Sequence, residues 1–266
     1  MFGVYQPQEE FRGSYEVALA GSIDSISELA DHLIYWNPNG MPSKEEIRVA
    51  RRLYKNAIKA GNTSAMLNYG GLFRDGIGTR ENHVVAHFWY LIAILAYKKD
   101  PWKDRSGYRA LGNSWKYDYD GIGQPTSTKS RLRLFFALCW FRLGAKEEEM
   151  NSIYELGDYY RDGLFVKKDL EKAFSLYIEA LETIENGPCP EYDDNYDDVA
   201  FRLAQCYRLG LGTEKNLKKA LEFAELSEEK YREIVDNGGV WDQKNLDEAK
   251  VEVARIHREL KTEKYL

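Results

Sequence analysis

Three stretches of this chain align with one another without a gap, and internal repetition restricts the fold more than any other feature of the sequence. They run Ala65–Ala93, Ser152–Ala180 and Val199–Ser227. In each, a small residue (Gly70, Gly157, Ala204) is followed three positions on by an aromatic one (Phe73, Tyr160, Tyr207). A glycine comes three further on (Gly76, Gly163, Gly210). A polar residue (Asn82, Asp169, Asn216), an alanine (Ala86, Ala173, Ala220) and a bulky residue (Trp89, Leu176, Phe223) complete the template. Two weaker copies fit it. Near the start, Leu33, Gly40, Ala50, Leu53, Tyr54 and Ala57 fall in register. In the middle, Leu111, Gly112 and Gly121-Ile122-Gly123 match a first helix and its turn, and Ala137, Trp140, Phe141 and Gly144 a second helix, with extra residues between.

Each template position has a physical reason. A small residue lets two helices approach closely, and the aromatic one turn later fills the space between them. The Gly76 and Gly78 pair ends the first helix, because glycine takes the left-handed conformation that other residues resist. Asn82, Asp169 and Asn216 precede apolar runs, where their side chains can cap a second helix. In that helix Ala86, Trp89, Tyr90 and Ala93 follow i, i+3, i+4, i+7 spacing, which makes one apolar stripe. Such a helix pair buries only one side of itself; stacking of neighbouring pairs completes the core.

The copy with Leu156, Gly157, Tyr160, Gly163, Val166, Asp169, Lys172, Ala173, Tyr177 and Ala180 resembles the Sel-one-like repeat, a relative of the tetratricopeptide repeat. The resemblance implies an all-α, right-handed α-α superhelical solenoid of about five helix pairs with terminal capping helices. It also implies an adaptor or scaffold role, as such proteins play in signalling, protein quality control and bacterial regulation or host interaction. Some secreted relatives carry a cysteine pair in each repeat, and this chain does not. The expected layout is a single domain over residues 1–266. Within it, residues 1–27 form an N-terminal cap or half-repeat, followed by repeats at 28–61, 62–98, 107–149 (degenerate, with an inserted loop), 150–185 and 198–233, and a capping helix at 244–263. Three connections interrupt the pattern: Lys98–Gly107, the enlarged turn Tyr117–Ser130, and the acidic Glu185–Asp198. Inserted loops in repeat proteins project from one edge, either as solvated spacers or as the place where specificity lives.

Composition narrows the class. The longest apolar run, around Val84 to Tyr97, is shorter than the roughly 20 residues of a membrane span. The first residues, MFGVYQPQEEFRG, lack the basic start and apolar centre of a signal peptide, so the chain reads as soluble and cytoplasmic. Three cysteines (Cys139, Cys189, Cys206) share no short spacing, which disfavours a disulfide framework or a zinc site. Residues 1–150 carry 20 Lys+Arg against 17 Asp+Glu, a net of +3, and residues 151–266 carry 17 against 26, a net of −9. That balance is not the concentrated basic face of a nucleic-acid binder.

A recurring cation is the main candidate for binding. Arg74, Arg161 and Arg208 share one template position, and Lys116 falls there in the middle copy. In tetratricopeptide-like solenoids the first helices line the concave groove, so these residues would form a ladder suited to an acidic peptide. The alternative is local: a cation in a helix's last turn favours the negative end of the helix dipole, and Asp75 and Asp162 lie beside two of the arginines. Trp102, Trp115 and Tyr117, in loop-flanked segments, are either exposed anchors for a partner or packing residues. His83 and His87 have metal-ligand spacing without further ligands, and the acidic Asp118–Gly121 and Glu191–Asp198 segments lack the ligand spacing of a calcium loop. No cofactor, phosphate-loop, nucleophile-elbow or cysteine–histidine motif stands out. The reading is a non-catalytic interaction module for a protein or peptide, with an acidic segment as one kind of partner. A narrower alternative is a dedicated regulator or immunity-type neutraliser in a bacterial conflict system, and a hydrolase-like enzyme is the alternative of another class.

Overall fold

The computed structural model describes residues 23–35, 41–99, 105–116, 127–186, 196–237, 239 and 242–263. These form eleven α-helices and, among the described residues, no strand. In chain order they are α1 (Ile23–Ile34), α2 (Lys44–Lys59), α3 (Thr63–Arg74), α4 (His83–Lys99), α5 (Gly107–Lys116) and α6 (Thr128–Lys146). Then follow α7 (Met150–Asp162), α8 (Leu170–Glu185), α9 (Tyr196–Leu209), α10 (Leu217–Asp236) and α11 (Gln243–Glu263). The first ten make five helix pairs, so the protein is an all-α helical-repeat solenoid. It divides into two compact units, Met1–Ala110 and Leu111–Leu266.

The expected caps are present. Asn82 accepts from the Val85 N–H at 3.1 Å, Asp169 from Lys172 at 2.9 Å, and Asn216 from Lys219 at 3.0 Å. The same three residues also donate their own N–H back to the carbonyl of the template aromatic: Asn82 to Phe73, Asp169 to Tyr160 and Asn216 to Tyr207. One side chain therefore starts the second helix while its backbone ties that start to the end of the first. Two boundaries differ from expectation. The first helix starts at Ile23, before the expected boundary at residue 28, because Ile26, Leu29, Ala30, Leu33 and Ile34 all turn into the core. The Tyr117–Ser130 turn ends early, since Ser127 accepts from the Ser130 N–H at 3.1 Å and opens α6. The helix expected around Ser14–Gly21 lies outside the described residues.

Small residues set the spacing within pairs. A Cβ on Gly70 would sit 2.7 Å from Tyr90 Cε1, and one on Gly157 would sit 2.6 Å from Tyr177 Cε1. The middle copy repeats the arrangement, with Gly112 lying against the Phe141 ring. In unit 1 the core gathers Leu29, Leu33, Ile34, Leu53, Tyr54, Tyr69 and Leu72. In unit 2 it gathers Ile153, Leu176, Tyr177, Ile184, Val199 and Leu203, with Leu134, Leu138, Phe141 and Tyr159 around the middle pair. Each side chain of this size contributes roughly 1.5–3 kcal/mol on burial, which holds the pairs together without disulfides. Cys139 and Cys206 are free, and Cys189 lies outside the described residues.

Candidate functional site

The first helices of unit 2 carry polar residues at helical spacing on one face: Glu155, Asp158 and Asp162 on α7, and Asp198, Arg202 and Gln205 on α9. On α11 the equivalent face holds Asn245, Glu248 and Glu252. Between them is a cleft of about 420 Å³, bordered among others by Lys116, Asp158, Arg161, Asp198, Arg202 and Gln205. Tyr231, from α10, closes one side of it.

An ion-pair network forms its wall. The Arg202 guanidinium donates from Nη2 to Asp158 Oδ2 at 2.8 Å and from Nε to both Asp158 oxygens at 3.1 Å. Through Nη1 it reaches Asp198 Oδ1 and the Asp198 carbonyl, each at 3.0 Å. Its charged face lies 4.4 Å above the centre of the Tyr154 ring. Asp158 also accepts from Arg161 at 2.9 Å and from the Tyr177 hydroxyl at 2.7 Å. Asp198 accepts from Tyr154 at 2.9 Å and from Tyr231 at 3.0 Å. Burial alone would raise both carboxyls, but Arg202, Arg161 and these hydrogen bonds outweigh it. Asp158 is held far below the usual carboxylate range, and Asp198 is lowered too. The tyrosines pay in the other direction: burial and the neighbouring carboxylates push Tyr177 and Tyr231 well above their ordinary value. A paired, hydrogen-bonded network of this kind makes a rigid wall rather than a reactive centre.

Each ladder cation is bonded to one of the chain's own carboxylates. Lys116 donates to Glu155 at 2.8 Å, and although burial opposes its charge, Glu155 and Asp158 raise its pKa. Arg208 reaches Glu252 at 2.6 Å and Glu259 at 3.1 Å. Arg161 grips Asp162 with two bonds of 2.8 Å, and Arg74 does the same to Asp75 with two of 2.6 Å. All four stand in the last turn of their helices. Lys116–Glu155 and Arg208–Glu252 also join one first helix to the next helix in the stack, so the ladder ties copies together within unit 2.

Lys116 and Arg161 thus border the cleft, whereas Arg208 and Arg74 do not line it. Trp115 packs its ring 5.0 Å from Phe136 beside the core of the middle pair. Trp102 and Tyr117 lie outside the described residues. His83 and His87 have ring centres 6.5 Å apart, and His83 meets Glu81 at 2.9 Å. Among the described residues no group of three or more His, Cys, Asp or Glu has metal-site geometry. Asp158, Asp198 and Arg202 escaped the sequence reading because the template collects residues common to all copies. The position two before the small residue is Asn68, Glu155 or Arg202 in the three clear copies, and this variation hid it.

Comparison with known proteins agrees with the helix pairs. The Sel1 repeat family model matches residues 23–62, 63–96, 151–182 and 198–230, together just over half of the chain. The chain belongs to the Sel1 repeat family. The model passes over the middle pair, where the structure nonetheless keeps the Gly112–Phe141 contact. Among solved structures, a Pseudomonas aeruginosa protein, PA5086, is 18% identical with a TM-score of 0.53, covering 89% of this chain and 82% of that one. A Sel1 repeat protein from Oxalobacter formigenes is 20% identical with a TM-score of 0.49, covering 90% and 87%. The immunity protein Pa5087 of Pseudomonas aeruginosa is 17% identical with a TM-score of 0.42, covering 78% and 81%. At these identities the likeness concerns the fold. No curated protein matches the sequence. Sel1 repeat proteins generally mediate protein–protein interaction, and among the described residues no helix is long and apolar enough to cross a membrane.

Proposed function

We propose that this Sel1 repeat protein is a non-catalytic, cytoplasmic scaffold that holds a segment of a partner protein in the unit 2 cleft. The observation that carries the reading is a cleft walled by residues already bonded to one another, with Gln205 and Glu248 along its border. Preorganised walls of this kind favour recognition, because little side-chain entropy is lost on binding. Asp158 and Asp198 are ionised and bonded on several sides, which suits them poorly to taking up a proton from a substrate. The ladder cations serve in this proposal as frame: an acidic segment would have to displace Glu155 or Asp162 to reach Lys116 or Arg161. Partner contacts fall instead on Gln205, Glu248 and the Phe201 edge, which also border a second recess of about 810 Å³ along α11. The test is affinity capture from the native cell with the wild-type chain and with Gln205→Trp, followed by mass spectrometry. The reading predicts a protein retained by the wild type and lost with the tryptophan variant at unchanged circular dichroism. Identical captured sets from both chains would contradict it.

A further inference from the structure

The outer faces of the two second helices of unit 1 differ from each other and from those of α8 and α10. Matching second helices on their buried residues aligns Ala50, Tyr54 and Ala57 of α2 with Ala86, Tyr90 and Ala93 of α4. The solvent-facing positions between them are Arg48, Arg52, Lys55 and Lys59 on α2. Their equivalents on α4 are Val84, Phe88, Leu91 and Leu95. These four apolar side chains are 79%, 55%, 42% and 56% exposed, a contiguous apolar face of the kind that marks an interaction surface; α6 carries another in Leu132, Phe135, Phe136 and Leu143. The same positions on α8 are Glu171, Ser175, Ile178 and Glu182, and on α10 Lys218, Glu222, Glu225 and Glu229.

The α2 cations are unlike the ladder cations. Arg48 pairs with Glu45. Arg51 donates to the Gly78 carbonyl at 2.6 Å and lies over the Phe73 ring, and Lys55 lies over the Tyr69 ring. Neither Arg51 nor Lys55 meets a carboxylate among the described residues, and neither do Arg52, Lys44 and Lys59. Lys44, Arg48, Arg51, Arg52 and Lys55 line a groove of about 590 Å³ together with Ile47. Successive second helices of stacked pairs lie on the same side of a solenoid. Arg51, Arg52, Lys55 and Lys59, which meet no carboxylate among the described residues, therefore share a side of unit 1 with an apolar stripe three turns long, about 16 Å.

We propose that this face of unit 1 docks an acidic amphipathic helix of a partner protein. Its carboxylates would meet the α2 cations, and its apolar side chains would cover Phe88 and Leu91. The occupant follows from charge complementarity combined with the apolar stripe. Nucleic acid would use the cations and leave the aliphatic stripe wet, and a bilayer is too flat to enter the α2 groove. The inference is independent of the cleft in unit 2, and Gln205→Trp leaves it untouched.

The test uses the full chain and a fluorescein-labelled peptide of about 18 residues, Glu on one helical face and Leu on the other. A scrambled peptide of the same composition, phosphatidylserine-containing vesicles and a single-stranded RNA serve as competitors. The proposal predicts saturable binding of the amphipathic peptide, weakened about tenfold or more by Arg52→Glu with Lys55→Glu, and separately by Phe88→Ser with Leu91→Ser. These side chains are exposed, so circular dichroism should be unchanged. Absence of peptide binding, equal binding of the scrambled peptide, or unaltered affinity in both variants would overturn it. So would vesicles or RNA displacing the peptide and losing affinity in the same variants.

Discussion

One construction occurs twice in this protein, and a single residue gives it opposite electrostatics. In unit 1, Asp31 accepts from Tyr54 on its own second helix at 2.6 Å and from Asn68 on the next first helix at 2.7 Å. In unit 2, Asp158 accepts in the same way from Tyr177 and from Arg202, which stands at the template position of Asn68. Without a cation, burial dominates over the two hydrogen bonds, and the Asp31 carboxyl is pushed up to about 7. The folded state therefore holds the Asp31 proton more tightly than the unfolded chain, whose aspartates titrate near 3.8. Its contribution is most favourable below that value and is lost as the pH rises through about 7. Asp31→Asn keeps both hydrogen bonds and removes the charge. Urea denaturation at about pH 5 and about pH 8 should show the variant gaining on the wild type as pH rises. A difference that does not change with pH would count against this account. Asp158 and Asp198 have the reverse sign: their stabilisation is present above the ordinary carboxylate range and fades as pH falls toward their lowered values. Replacing Arg202 by Met leaves Asp198 without its cation and Asp158 with Arg161 alone, and a loss of about 3–5 kcal/mol is expected in the same assay.

At the scale of elements, turns show why some glycines are irreplaceable. Gly78 and Gly212 both have left-handed backbones, with φ of 62° and 71°. A Cβ on Gly78 would press on the Ile47 side chain, which can rotate away, whereas one on Gly212 would press on the Leu170 carbonyl, which cannot. Gly212→Ala should therefore cost about 2–4 kcal/mol and Gly78→Ala about 1–2 kcal/mol, read from thermal unfolding. Equal losses would show that backbone conformation alone sets the cost. Phe165 occupies the corresponding place in the third clear copy, at φ 55°, and its ring lies 6.2 Å from Phe135. The helix pairs, their caps and the close approach at Gly70 and Gly157 were legible because the same physical requirement recurs in each copy. The network around Arg202 was not, since each copy solves the problem of the polar cleft face with a different residue. Arg161 and Lys116 were found for a feature they share with Arg74 and Arg208, their place in the last helical turn. What distinguishes them, their position beside the cleft, depends on which first helix packs next and is absent from a single repeat.

For the molecule as a whole, the difference in charge between the two ends of the sequence resolves into two surfaces. The acidic part holds a cleft whose cations are bonded internally, and the basic part carries cations on α2 that, Arg48 apart, meet no carboxylate among the described residues. Family membership makes protein binding the common theme, and the cleft is the place proposed for it. The most direct measurement is hydrogen–deuterium exchange on the chain alone and with the protein that the wild type retains and Gln205→Trp loses. Bound partner should slow exchange in α9 and the first turns of α11, around Phe201–Gln205 and Asn245–Glu248, and leave α8 unchanged. Protection confined to other helices, with α9 and α11 exchanging as in the free chain, would contradict the assignment of the cleft.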